Sequence, residues 1–211
     1  MANTAALEGI NGLRDIRRSP ASHLAPALEA GSIEGTVVLK EGPFQTMAGV
    51  RVDPGSEAGS RIASVVGGLP ARCGEVGGTE RASVLWLGPS EFLMVAPEEA
   101  HDSLGGDLIG SLVAALGDAP GQVVDLSANR TTFELTGPRA RAVLEKGCAL
   151  DLHPRTFTAG TALNTEVGFI PVILLKSGEE SYRLFPRASF ADFLGRWLLD
   201  AMREFASPEV P

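Results

Sequence analysis

The chain reads as an α+β protein made of two similar sheet-and-helix halves related by internal duplication. Three observations predict this: a strand, turn, strand and helix pattern that occurs twice, the aromatic residues Phe92 and Tyr182 at matching points of the two copies, and an apolar fraction of 44% against 21% charge in 211 residues. The first copy runs strand 82–87, turn 88–91, strand 92–95 and a helix reaching about residue 116. The second runs strand 171–176, turn 177–180, strand 181–185 and a helix over 190–205. A spacing of 90 residues is too long for a solenoid unit and fits a duplicated half-domain, in which each half covers one sheet face with its own helices. The expected organisation is an extended arm over 1–35, a first half over 36–116, a second half over 122–205 and a tail over 206–211.

The elements follow in order. Residues 1–35 are rich in Gly, Ala, Ser and Arg, and Pro20 and Pro26 interrupt any long helix, so the stretch is expected to be extended. Residues 36–40 are strand-like, and Val50 and Val52 alternate with polar neighbours in a second strand. Ser56 is placed to cap a helix whose apolar residues Ala58, Ile62, Val65 and Val66 keep the helical period until Gly67 and Gly68 stop it. A long helix is expected from Glu98 and Glu99, whose charge suits a first turn, along the stripe Leu104, Leu108, Ile109, Leu112, Val113 and Leu116. The linker 117–121 separates the halves. Val123, Val124 and Leu126 form a strand, and residues 131–136 another with Phe133 and Leu135 on one face. Gly137-Pro138 opens a short helix carrying Ala140, Val143 and Leu144, with Gly147 as its left-handed cap. In the last helix Ser189 is the expected cap and Asp192 completes a near capping box, ahead of an apolar stripe from Phe190 to Phe205. Residues 206–211 are expected to fray.

Composition excludes several function classes. A net charge of −8 argues against sequence-independent nucleic-acid binding, which relies on Lys and Arg to displace counterions. The sequence has no apolar run near the ~18 residues of a membrane span, and Glu8, Gly9, Asn11 and Gly12 interrupt the only apolar stretch at the start, so a cytoplasmic location is expected. Cys73 and Cys148, one in each half, read as separate reduced thiols. Arg14, Arg17 and Arg18 cluster near the start, either as a solvated arm or as a dock for an acidic partner surface.

Motifs for chemistry are scarce. The sequence contains no Gly-x-Ser-x-Gly elbow, no Walker lysine loop and no Gly-x-Gly-x-x-Gly after a strand. Gly105, Gly106 and Gly110 fall inside the expected helix, where they read as close packing. His23, His101 and His153 are scattered with no cysteine or carboxylate at ligand spacing, which disfavours zinc or a histidine relay. Asp125 and Asp151 are open to two readings, as catalytic carboxylates or as turn-forming aspartates. Cys148 follows Lys146-Gly147 near a helix C-terminus, which would raise a thiol pKa, so burial is the favoured reading over reactivity. No residue of this chain is therefore expected to be catalytic, cofactor-binding or metal-ligating.

The run Lys146-Gly147-Cys148-Ala149-Leu150-Asp151-Leu152-His153-Pro154-Arg155-Thr156-Phe157 resembles the gamma subunits of heterotetrameric sarcosine oxidases. Three further segments agree in order: residues 17–24 with Arg17, Arg18, Pro20 and His23, the hairpin 86–92, and residues 187–194 leading into Trp197. The resemblance implies a fold related to the aminomethyltransferase of the glycine cleavage system. It also implies partners, namely alpha, beta and delta subunits, with FAD, FMN, NAD, tetrahydrofolate and zinc held by those partners and no cofactor of this chain's own. The implied role is structural, in a complex that demethylates sarcosine oxidatively, with Arg17, Arg18, Pro20 and His23 as interface candidates. Some folate-fold relatives continue Lys-Gly-Cys with Tyr-x-Gly-Gln; here Ala149, Leu150, Asp151 and Leu152 follow, so the thiol role of those relatives does not carry over. Two other readings stand beside it: a free-standing folate-binding one-carbon transferase, gripping a pterin through Asp125 or Glu134, and a scaffold unrelated to amine oxidation.

Overall fold

The computed structural model describes residues 16–79 and 81–206. Helix α1 (Ala25–Gly31) precedes a first half made of β1 (Val38–Glu41), β2 (Thr46–Arg51), α2 (Glu57–Val66), β3 (Val76–Thr79), β4 (Ala82–Gly88), β5 (Glu91–Ala96) and α3 (Leu108–Leu116). The second half repeats the series: β6 (Gln122–Asp125), β7 (Phe133–Thr136), α4 (Ala140–Glu145), β8 (Ala162–Val167), β9 (Ile170–Gly178), β10 (Ser181–Pro186) and α5 (Ala191–Met202).

These strands form two antiparallel five-stranded sheets among the described residues, ordered β1-β7-β10-β9-β8 and β6-β2-β5-β4-β3. The orders are equivalent under the duplication, with one exchange. Each sheet takes four strands from its own half and its edge strand from the other, β1 pairing with β7 and β6 with β2. The chain crosses between sheets at β1–β2 and again at β6–β7, so the sheets do not coincide with the repeated series. Phe92 pairs with Val50 and Trp86, and Tyr182 with Leu135 and Lys176, so the two aromatics occupy equivalent register positions.

Alternation along the strands builds three apolar layers. On β5, Phe92 and Met94 face α2 and α3 with Ile62, Val66, Leu112 and Leu116. On β9 and β10, Val172, Leu174, Tyr182 and Leu184 face α1, α4 and α5 with Leu28, Val143, Leu144, Leu194 and Leu198. The opposite faces, carrying Met47, Leu85, Leu93, Val95, Ile173, Leu175 and Phe185, meet in a central layer between the sheets. The result is helix, sheet, sheet, helix. Strands buried on both faces need near-continuous apolar sequence, which is what residues 92–96 and 172–175 supply.

Several local expectations hold. Ser56 Oγ accepts from Gly59 N at 3.0 Å and caps α2, and Gly67, at φ +86°, ends it. Others give way to packing. The arm is not extended throughout, because Pro26 sits in the first turn of α1, where its missing N–H costs nothing. The long helix from Glu98 divides into two 3₁₀ turns, Glu98–Ala100 and Asp102–Leu104, and only then α3. The glycines explain the break: Gly105 takes φ +96°, and a Cβ on Gly106 would lie 2.2 Å from the Glu99 carbonyl oxygen. Asp107 caps the shortened helix through Gly110 N at 3.0 Å. Ser189 lies within a 3₁₀ turn, Ala188–Phe190, and α5 starts behind Phe190 without a side-chain cap. Gly147 is not left-handed; it is small because Trp197 leans on it, a Cβ there falling 2.4 Å from the indole.

That contact generates a prediction. Gly147→Ala overpacks the Trp197 contact and is expected to cost about 1–3 kcal/mol, read as a lower denaturation midpoint. Trp197→Phe in the same chain should recover part of the loss, a non-additivity that independent sites would not show.

Candidate functional site

The arm is fastened where the chain crosses between sheets. Glu41, the last residue of β1, accepts hydrogen bonds from Ser19 Oγ (2.6 Å), Ala21 N (3.1 Å) and Thr131 Oγ1 (2.7 Å). Beyond it, Phe44 holds φ +59°, an uncommon conformation for a bulky residue. The Arg17 guanidinium stacks 4.2 Å above the Phe44 ring and forms an ion pair with Glu98 at 2.6 Å. One anchor therefore lies on β1 of one sheet and the other beyond β5 of the second. The arm stitches the two halves across the crossover.

Against this stitch lies a cleft of about 570 Å³, bordered by Arg17, Arg18, Pro20, Phe44, His101, Asp125, Arg130 and Thr131 among others. His101 bridges its far wall, with Nε2 at 3.2 Å from Asp125 Oδ2 and Nδ1 at 3.0 Å from Ser103 Oγ. In outline this is a carboxylate, imidazole and hydroxyl row. Asp102 Oδ1, however, lies 2.8 Å from the same Nδ1 and competes with the serine for it. The row ties the 98–104 turns to β6. Burial alone would push the Asp125 carboxyl up, but hydrogen bonds from Ser127 Oγ and N, then His101, outweigh it and hold the carboxyl below its usual value. Burial, reinforced by the charge of Arg187, pulls the Arg130 guanidinium below its ordinary range. Arg130 donates to the Phe185 carbonyl oxygen at 2.7 Å.

Three of the four interface candidates, Arg17, Arg18 and Pro20, thus meet in one cleft. His23 does not join them. It pairs with Asp192 on α5 at 2.6 Å, and that bond, ahead of one from Arg196, lowers the Asp192 pKa. Arg14 lies outside the described residues. Asp151 is a turn aspartate: its carboxylate accepts from His153 N at 2.9 Å and Thr156 Oγ1 at 3.1 Å, and those bonds lower its pKa. Glu134 pairs with Arg183 at 3.1 Å. Cys148 is half-buried with Sγ 3.7 Å from Thr165 Oγ1, and Cys73 is exposed; both are free thiols. The pairing of His23 with Asp192 and of His101 with Asp125 spans distant sequence, which is why ligand spacing missed it. Among the described residues, no three His, Cys, Asp or Glu side chains are grouped to hold a metal ion. Nor is any helix there long and apolar enough to cross a membrane. Sequence reasoning also missed Glu41 and Glu98, because nothing local marks a strand-end glutamate as the acceptor for an arm some 20 residues upstream.

Two predictions follow from the geometry. Glu41→Ala leaves the Ala21 N–H and two hydroxyls without their acceptor and should destabilise the chain by about 1–3 kcal/mol, with faster hydrogen exchange at Ala21. Glu41→Gln, which keeps an acceptor oxygen, should lose less. For Asp125 the folded pKa lies below the unfolded one, so its contribution is fully present above the unfolded value and is lost as pH falls through the folded one. Acidification below about pH 4 should therefore narrow the stability gap between the parent chain and Asp125→Asn, measured by urea unfolding across pH.

Comparison with known proteins gives these arrangements a context. Residues 51–204 match the model of the sarcosine oxidase, gamma subunit family. Over 212 residues the chain is 50% identical to the sarcosine oxidase subunit gamma of Corynebacterium sp. (strain P-1), covering 100% of both. It is similar, at 48% identity and a TM-score of 0.87, to a chain of the heterotetrameric sarcosine oxidase from Corynebacterium sp. U-96 in complex with pyrrole 2-carboxylate, over 93% of this chain and 100% of that one. The glycine cleavage system aminomethyltransferase T from Bartonella henselae shares the fold alone, at 15% identity and a TM-score of 0.60 over 83% of this chain and 48% of that one. With half its residues identical along the full length of a gamma subunit and the family pattern running through both sheets, the chain belongs to the sarcosine oxidase gamma subunit family.

Proposed function

We propose that this chain is a non-catalytic, structural subunit of a flavin-dependent heterotetrameric sarcosine oxidase, packing against the alpha subunit in the cytoplasm. The overall reaction is the oxidative demethylation of sarcosine with oxygen, giving glycine, hydrogen peroxide and either formaldehyde or, with tetrahydrofolate, 5,10-methylenetetrahydrofolate. FAD, FMN, NAD, tetrahydrofolate and zinc belong, on this reading, to the alpha, beta and delta subunits.

The observation that carries the reading is how the cleft's polar groups are spent. Arg17 is committed to Glu98 and Phe44, Arg130 to a backbone carbonyl, and Asp125 to Ser127 and His101. Such groups hold shape. A pterin would need a carboxylate facing an apolar slot, and the engagement of Asp125 and Glu134 by neighbours supports placing the folate with a partner subunit. The alternative of a free-standing one-carbon transferase therefore rests on shared fold alone, which does not carry function.

Surface for a partner is present. Phe169 at the β8–β9 turn is 89% exposed, Phe193 on α5 is 51% exposed, and Ile16 and Arg18 stand at the cleft mouth. Aromatic and arginine side chains are the usual anchors of protein interfaces. The isolated chain should not turn over sarcosine or show a flavin spectrum, whereas co-purified partners should do both. Turnover by the chain alone would refute the reading. Arg18→Glu should weaken retention of this chain in the complex by on the order of tenfold, read by subunit stoichiometry after dilution and gel filtration.

A further inference from the structure

The duplication makes one position stand out. At the end of the central hairpin, the first half places Trp86 opposite Phe92; the second half places Lys176 opposite Tyr182. A half-buried indole that packs against the core is replaced by a lysine that is more interior, since Lys176 and Tyr182 are each 1% exposed. Directly paired residues on one face of an antiparallel sheet have Cβ atoms roughly 5 Å apart, so the amine and the phenol share one environment. Phe157 lies over them, its ring parallel to that of Tyr182 with centroids 6.4 Å apart.

Lysine Nζ brings three donors and no acceptor. Here its one hydrogen bond among the described residues goes to the Phe157 carbonyl oxygen, at 3.1 Å. A buried donor without an acceptor is costly, and the equivalent Trp86 shows that an apolar side chain fits the position. Lys176 borders a cavity of about 280 Å³ whose wall also includes Tyr182 and the half-buried Arg141, which lies 3.5 Å from Glu145. Its acidic neighbours, Glu179 and Glu180, are exposed residues of the β9–β10 turn. The lysine and the phenol are buried, and the acids stand outside.

We propose that this cavity is a carboxylate-binding site, with Lys176 and Tyr182 as its inner donors and Arg141 as a flanking charge. Its volume suits a small acid or the tip of an acidic side chain and is too small for a nucleotide cofactor. A single negative charge fits better than a phosphate, because Glu179 and Glu180 would repel the second charge. The carboxylate has two possible sources, a free small acid or an Asp or Glu of a neighbouring subunit. The site involves neither the arm cleft nor the choice of which subunit packs there.

The test is a structure of the assembled complex, determined without and with sodium formate as the probe. The expected result is a carboxylate within hydrogen-bond distance of Lys176 Nζ and Tyr182 Oη. If it belongs to a neighbouring subunit in both structures, the partner is the source; if it appears only with formate, a free acid is. Water alone in both structures, or Glu179 or Glu180 folded into the cavity, overturns the proposal. Tyr182→Phe keeps the stacked ring and removes one donor. It should lower formate affinity, or slow the complex's recovery of this chain after dilution, by about tenfold. Lys176→Met, with an apolar side chain of similar length, should abolish the same signal, and an unchanged response in both variants also overturns the proposal.

Discussion

The central apolar layer between the two sheets constrains everything else in this molecule. Met47, Leu93, Val95, Ile173, Leu175 and Phe185 must be withdrawn from water on the face away from the helices, while Phe92, Met94, Leu174 and Leu184 are withdrawn on the other. A strand buried on both faces cannot slip by one residue into a polar register, because both registers are apolar; pairing must be enforced from outside. Edge-strand exchange does this. With β1 in one sheet and β6 in the other, neither half can complete its sheet alone, and the crossover is held by Glu41 and by the stack of Arg17 on Phe44.

The arm follows from the same constraint. Its polar contacts converge on the two ends of the β1–β2 crossover, one glutamate on each side, so it acts as a strap across the joint between halves. The cleft beside the strap is what remains of the seam where strand ends diverge. Its charged groups face one another there, at separations at which partly buried ion pairs and charge-assisted hydrogen bonds position backbone more than they add net stability. That arrangement suits a subunit whose contribution is a rigid surface presented to partners.

Much of the fold was legible in sequence because the signals were local or periodic. The Phe92 and Tyr182 match rests on a pattern repeated at a spacing of 90 residues, the Ser56 cap and the Gly67 stop on residues within a few positions, and all three hold. What the sequence concealed was set by distant contacts. Strand exchange leaves no mark on β1 or β6, since their patterns specify an edge strand and not its partner. Gly147 reads as a left-handed cap until Trp197, on another element, is seen to need the space. The helix expected from Glu98 has the right apolar stripe, but Gly105 and Gly106 turn the chain first. At the candidate site, Arg17, Arg18 and Pro20 share a cleft as sequence neighbours, whereas His23 meets Asp192 and His101 meets Asp125 only through tertiary packing.

The structural role proposed for this chain is tested most directly where His101 stands between Asp125 and Ser103 in a carboxylate, imidazole and hydroxyl row. Steady-state sarcosine turnover should be measured for the assembled complex carrying His101→Ala, with subunit stoichiometry checked in the same sample. The account predicts kcat and KM equal to those of the parent complex whenever this chain is fully incorporated. A fall in kcat with stoichiometry intact would mean that this subunit takes part in the chemistry.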